Sequence, residues 1–376
     1  MKKIISIALA LLMVAVMLPV MAMAADNVAK IGGTEYATLK EAFDAVQNGE
    51  TIVVMKNCSG NGIVVNSGRN FTVDFNNCTY DIDGTTVGST GTETNGFQLL
   101  KDSTITFKNG KLTSTKAKIL IQNYCNLTLE NMELDGRNLN RSNPNYTLSN
   151  NNGNVVIDGT KISAADGMVA FDVCRYADYV GPTVTVKGNS VINGKVEISS
   201  SGAKDGAQHK LEIENGTFNG PIVKAGESPE FSSSISGGTF NSDVTPYVHN
   251  ELVVTYGNNY YVGDSAYEAV GNATSGEFTV VDAPSDESLS FQDVKPGVKI
   301  KNEQRNSGII VNGNEVPYGG SYTVPGAPII IYTPTEDTSK ADNQKNPSTG
   351  ANDFVGVAAA MAVVSLLGAA AVIRKK

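Results

Sequence analysis

The sequence predicts an all-β chain whose body is a parallel β-solenoid. Three observations carry this: an eight-residue frame recurs through the middle of the chain, its turn position holds only Asn or Gly, and an amphipathic helix precedes the first frame. The frame is clearest in Ile105-Thr106-Phe107-Lys108-Asn109-Gly110-Lys111-Leu112. It is read also at Val73 to Tyr80, Leu127 to Leu134, Val155 to Ile162, Val184 to Val191, Leu211 to Phe218 and, more weakly, Ser233 to Phe240.

Positions one, three and eight of the frame are apolar, so an in-out-in strand runs into a turn and then buries one further side chain. Position five is Asn77, Asn109, Asn131, Gly159, Gly188, Asn215 and Gly237. Asn and Gly are the residues that accept a left-handed backbone, which a sharp turn there demands. Frames begin about 22 to 32 residues apart, a spacing that gives each repeat the length of one coil. Stacking then puts position three in one column, expected as Phe75, Phe107, Leu129, Ile157, Val186, Ile213 and Ile235. Position four reads Asn76, Lys108, Glu130, Asp158, Lys187, Glu214 and Ser236, so opposite charges fall on neighbouring coils in several places, as exposed cross-strand pairs do.

Upstream, Thr38 with Glu41 forms a capping box, and Leu39, Ala42, Phe43 and Val46 share one helical stripe that stops near Gly49. A strand from Thr51 to Met55 should follow. Such a helix covers the bare end of a solenoid, which otherwise exposes core and an unpaired edge. This combination of capping helix and Asn/Gly-turn coils resembles the pectin lyase-like right-handed parallel β-helix superfamily over roughly residues 28 to 262; the right hand is implied by that resemblance. Beyond Val262, short strands are expected at Glu277 to Val281, Val298 to Ile300, Gly308 to Val311 and Ser321 to Val324, with turns at Asn312-Gly313 and Gly319-Gly320. The partition is therefore a cap over 25–56, the β-helix over 57–262, a small β-rich module or C-terminal cap over 263–332, and a polar stalk over 333–345.

Both ends read as export signals. Lys2 and Lys3 precede an apolar run from Ile4 to Val20 and a small-x-small Ala22-Met23-Ala24, so residues 1–24 form an expected signal peptide and the mature chain starts at Ala25. At the other end Asn346-Pro347-Ser348-Thr349-Gly350 stands before an apolar segment, residues 354–373, and a basic Arg374-Lys375-Lys376. That segment has the length of a membrane-spanning helix, and its basic tail should stay on the cytoplasmic side. Pentapeptide, span and tail, in this order over 346–376, resemble the cell-wall sorting signal of sortase substrates of Gram-positive bacteria. The resemblance implies that sortase cleaves Thr349-Gly350 and joins Thr349 to peptidoglycan. Where the commonest motif begins with Leu, this one begins with Asn346, as in a variant of clostridial-type surface proteins, which leaves the sortase class open.

Removing Lys2, Lys3, Arg374, Lys375, Lys376 and Asp353 takes 29 basic and 38 acidic residues to 24 and 37, a net charge of −13. Such a field repels phosphate backbones and makes nucleic acid an unsuitable partner. Cys58, Cys78, Cys125 and Cys174 form no CxxC and no Cys/His cluster, so neither a metal nor another cofactor is expected.

The resemblance brings polysaccharide lyases and glycosidases into view. Only His209 and His249 are present, neither in a Gly-His-Gly setting, and Asp81-Ile82-Asp83-Gly84 reads as a strand end entering a turn. No catalytic set is expected. The candidate binding surface lies in three insertions, Arg137 to Tyr146, Arg175 to Val180 and Ser201 to His209, expected on one flank of successive coils. They offer Arg137, Arg141, Tyr146, Arg175, Tyr176 and Tyr179 to a host or plant glycan or to a surface protein. The alternative is that these tyrosines only cover the coil beneath. The expected function is a non-enzymatic, adhesin-like or structural wall-anchored solenoid; the other reading is a wall-anchored polysaccharide lyase or glycosidase.

Overall fold

The computed structural model describes residues 26–140, 145–202, 208–227, 230–285, 288–305 and 308–326. The expected signal peptide, polar stalk and sorting motif Asn346 to Gly350, and the apolar segment 354–373, lie outside the described residues. Among the described residues, no helix is long and apolar enough to cross a membrane.

The body is a parallel β-helix with three faces. A first face runs from Thr51–Val54 through the first halves of Asn70–Ile82, Thr104–Ser114 and Asn126–Gly136 to Gly153–Asp158, Pro182–Lys187, His209–Ile213 and Phe231–Ile235. After the turn, the second halves of the long strands continue a second face that ends at Gly237–Phe240. The third face is a separate seven-stranded parallel sheet from Ile63–Val65 to Ile222–Ala225. Among the described residues, seven coils carry all three strands and an eighth carries two.

Each face sends one column inward. On the first face the column is Val73, Phe107, Leu129, Ile157, Val186, Ile213 and Ile235, all fully or almost fully buried. The expected first member was Phe75, and the register corrects it. Asp74 pairs with Lys108 and Cys78 with Gly110, so three residues oppose one and the first turn is two residues longer than the later ones. Asn76 and Asn77 are both left-handed, at φ +49° and +61°, which absorbs the excess. Phe75 is still buried, because the wider turn folds it inward against Phe107 with ring centroids 5.7 Å apart.

The turn rule holds through five coils and then moves. Asn77, Asn109, Asn131, Gly159 and Gly188 have φ of +61°, +54°, +51°, +54° and +63°. In the last two coils the positive φ passes to Gly216 and Gly238, so Asn215 and Gly237 are not the left-handed residues expected of them. Asn215 instead uses its side-chain oxygen to accept the Gly216 N–H at 2.8 Å. Buried hydroxyls bind successive turns together: Thr160 Oγ1 accepts the Met132 N–H at 3.1 Å, and Ser190 Oγ accepts the Thr160 N–H at 3.2 Å. Of the expected charge column Lys187 pairs with Asp158 at 3.6 Å, while Lys108 pairs with Asp74, which the register places opposite it and which the frame had not put in that column, also at 3.6 Å.

Helix α1, Leu39–Ala45, closes the first end. Its capping box is complete, and Leu39, Ala42 and Phe43 face the core. Phe43 plugs the opening, its ring 5.5 Å from Phe71, 5.8 Å from Phe97 and 6.3 Å from Phe107. Aromatic edge-to-face contacts of this kind add to the area they bury.

The C-terminal module repeats this cap. A hairpin, Val253–Tyr256 with Asn259–Gly263, leads into α2, Asp264–Asn272, and then into Gly276–Asp282, which pairs antiparallel with the first hairpin strand. The N-terminal hairpin, helix and strand have the same pairing. Residues 265–281 align with 38–54 without a gap, matching Glu268 to Glu41, Ala269 to Ala42, Gly276 to Gly49, Glu277 to Glu50, Val280 to Val53 and Val281 to Val54. As after the first cap, the strand continues as a parallel ladder: Gly276–Asp282 with Val298–Asn302, and Leu289–Phe291 with Ile309–Val311. Four strands of this module were legible from sequence, whereas α2, Leu289–Phe291 and Asn314–Val316 were not. Asn259–Gly263 also pairs antiparallel with Gly237–Phe240, so the second cap seals the last coil of the main solenoid.

Candidate functional site

The third face carries polar side chains on its outer side. Phe97, Ile121, Leu148, Phe171 and Val196 form its inward column. Strand alternation sends the residue after each to the outside: Gln98, Gln122, Ser149, Asp172 and Glu197. These form a polar lattice across neighbouring coils. Asn95 Nδ2 and Gln98 Nε2 both donate to Gln122 Oε1, at 2.8 and 3.2 Å, and Ser149 Oγ donates to Asp172 Oδ2 at 3.2 Å. The Asn150 N–H donates to Asp172 Oδ1, and the Tyr146 hydroxyl donates to Glu197 Oε1 at 2.9 Å.

Burial pushes the Asp172 carboxyl up to about 8, and the charge of Glu197 adds to the shift against the opposing hydrogen bonds. Asp172 and Glu197 face one another in register on neighbouring coils. Burial and the neighbouring Glu197 charge therefore both favour the protonated form of Asp172. Asn95 is buried on the same side, and its Oδ1 accepts no hydrogen bond.

Aromatic rings gather at the corner where the third face returns to the first. Tyr179 lies 5.1 Å from Tyr124 and 6.3 Å from Tyr176, the latter pair near-parallel at 25°. Tyr124 is almost buried and serves as the floor, while Tyr176 is 38 % exposed. On the coil-five strand Asp172, Cys174 and Tyr176 alternate outward, which joins the ring cluster to the polar lattice.

The six residues proposed from sequence are thus split. Arg137 sits at the corner between second and third faces, and Tyr176 and Tyr179 sit at the corner between third and first, so they flank opposite edges of one face. Arg137 is spent on Asp135, with Nε to Oδ1 and Nη2 to Oδ2 both 2.7 Å; Lys111 joins at 2.9 Å. These contacts, Arg137 foremost, hold the Asp135 carboxyl well below the usual carboxylate range. Arg141 lies outside the described residues. Tyr146 is tied to Glu197, and Tyr176 and Tyr179, which belong to one and the same insertion, stack on each other. Arg175 is not an exposed fork: it is buried and ion-paired with Glu230, reaching from the fifth coil to the start of the eighth.

Sequence reasoning missed Tyr124, Asp172 and Glu197. Their one signal is alternation in strands that follow loops of unequal length. His209, also buried, is pushed down to about 4 by desolvation and by the Arg175 guanidinium, and neither ring nitrogen has a hydrogen-bond partner. His249 lies 3.4 Å from Ser233 Oγ, but that hydroxyl donates to the Tyr247 carbonyl at 2.8 Å. Asp81 is the penultimate residue of the strand Asn70–Ile82, which runs into the Asp83-Gly84 turn. Among the described residues, no group of His, Cys, Asp and Glu is arranged to hold a metal ion. No protein-family model, no curated protein and no solved structure matches this chain.

Proposed function

We propose that the chain is a non-enzymatic, adhesin-like surface protein, anchored through Thr349 to the wall of a Gram-positive-type bacterium, whose solenoid binds glycan along its third face. The observation that carries this reading is the meeting of Tyr124, Tyr176 and Tyr179 with a lattice of amide, hydroxyl and carboxyl groups. Aromatic faces receive the apolar side of a sugar ring, while fixed donors and acceptors take its hydroxyls. The −13 charge of the mature chain and the sorting motif support display at the wall, with sortase and peptidoglycan as processing partners.

A glycosidase is the second reading, favoured by one observation. Asp172 and Glu197 are opposed carboxyls of which one is favoured in its protonated form, the division of roles that acid and base need. Against it, Asp172 is 3 % exposed and both its oxygens are already engaged by Ser149 and Asn150. Incubating the purified protein with a polysaccharide panel, with and without calcium, separates the readings. Saturable binding without new reducing ends or unsaturated products supports the adhesin. Turnover abolished by Glu197→Gln establishes the enzyme, and binding to no glycan sends the search to protein ligands.

A further inference from the structure

We infer that the third face selects neutral, hydroxyl-rich glycans and rejects acidic ones, because Glu197 stands on the lattice opposite Asp172 while the two described arginines bordering the face are committed elsewhere. This rests on the glycan-binding reading above.

An ionised sugar carboxylate needs a guanidinium, an ammonium or a bridging cation to repay its desolvation. Arg137 is clamped in bidentate geometry on Asp135, and Arg175 is buried on Glu230. Freeing Arg137 strips the almost fully buried Asp135 of its bidentate fork and leaves it to Lys111 alone, and freeing Arg175 takes the guanidinium from the partly buried Glu230. Lys195 opens the Glu197 strand and adds one positive charge, but Asp102 acts on the Tyr179 hydroxyl at the ring corner and Glu197 lies in the lattice itself. An incoming uronate meets carboxylates before it meets a fork.

The groups that await a ligand are acceptors. Asn95 Oδ1 is buried with no donor, and Glu197 takes one hydrogen bond on Oε1 from Tyr146 and has a second carboxylate oxygen. A buried acceptor left unmade costs about 1–3 kcal/mol, so a hydroxyl that donates to it is favoured. Neutral sugars bring hydroxyls that both donate and accept; an ionised carboxylate only accepts. The chemistry of the face therefore matches polyols.

The test is calorimetric titration of the wall-released protein with neutral gluco-, galacto- and manno-oligosaccharides and with an oligogalacturonate of equal length, in chelator. The expected result is binding of at least one neutral oligomer, with the oligogalacturonate weaker by tenfold or more, about 1.4 kcal/mol. Glu197→Gln should narrow that ratio to roughly threefold or less by this arithmetic, while Glu197→Asp, which keeps the charge, should preserve it. Circular dichroism melts of both variants establish that they fold. Oligogalacturonate binding as tight as the neutral oligomers, or a ratio untouched by Glu197→Gln, overturns the selectivity and leaves the site standing. If Tyr176→Ala with Tyr179→Ala has no effect on any glycan, or if nothing binds, the glycan reading fails and the selectivity with it.

Discussion

Asp172 and Glu197 stand directly opposite one another on neighbouring coils, Asp172 holding the hydroxyl of Ser149 and Glu197 that of Tyr146. Two carboxyls at one strand spacing, about 4.8 Å, cannot both ionise cheaply when one is buried. The pH dependence of stability follows. Asp172 is raised from 3.8 to about 8, so between these values the folded chain holds more protons than the unfolded one and stability falls as pH rises. Scanning calorimetry should show a melting temperature that drops from pH 6.5 to 9 in the natural protein and stays nearly level in Asp172→Asn. An equal drop in the variant would refute the assignment.

His209 acts with the opposite sign. Its value falls from 6.5 to about 4, so the unfolded chain binds the extra proton in that window and stability rises with pH across it. In the Asp172→Asn background this arm should stand alone, with melting temperature climbing from pH 4 to 6.5. His209→Gln should flatten it.

The turns give a graded test. Gly188 has φ +63°, and an added Cβ would sit 3.1 Å from the Gly159 backbone nitrogen. Gly188→Val should cost more than about 1 kcal/mol in urea denaturation, the scale of forcing a branched residue left-handed. Asn215 does not have a positive φ, so Asn215→Ala should cost less than Gly188→Val. Equal costs would mean that the turn conformation is not what the solenoid selects.

Arg175 and Tyr176 are neighbours in sequence with separable roles. Arg175→Ala removes the partner of Glu230 and should lower stability by roughly 1–3 kcal/mol, the range for a charged hydrogen bond. Tyr176→Ala, at an exposed ring, should leave the melt almost unchanged and weaken glycan binding. The reverse pattern, stability lost at Tyr176 and binding lost at Arg175, would restore the arginine as the sugar contact.

The proposed anchoring makes Thr349 the residue joined to the wall. The natural protein should leave the wall with muralytic enzyme and not with detergent, and Thr349→Ala should move it to the detergent fraction with Arg374-Lys375-Lys376 attached. Normal anchoring of that variant would end the sorting proposal.

Thiols should remain free. Cys58 pairs in register with Tyr80, which puts Cys78 two residues along the neighbouring strand, a diagonal that exceeds ordinary disulfide reach. Burial pushes Cys125 and Cys174 up to about 12, so alkylation at pH 8 should label Cys58 and Cys78 first. A quantitative Cys58–Cys78 bridge under non-reducing mass spectrometry would contradict this.

What the sequence determined by itself was the coil. The inward side of every coil must present an apolar residue at alternate positions and then reverse direction, so Phe107, Leu129 and Ile157 with Asn109, Asn131 and Gly159 repeat the same instruction. The capping helix was legible for a similarly local reason, since Thr38 and Glu41 satisfy each other within one turn. Register in the first coil was not, because Phe75 is as apolar as Val73 and only pairing against Lys108 and Gly110 shows which of them enters the column. The second cap escaped notice although Ser265 and Glu268 repeat the spacing of Thr38 and Glu41; in the fold the helix starts two residues earlier, at an N-cap Gly263 with no side-chain cap, and Ser265 accepts the Gly238 N–H of the last coil instead. The proposed binding face was decided by tertiary structure alone. Loops of unequal length separate second- and third-face strands, so no fixed spacing in the chain relates Tyr124 to Tyr179 or Asp172 to Glu197, and an arginine's availability depends on partners as distant as Glu230. Alternation records which side a residue faces; only stacking of the coils settles which residues share that side.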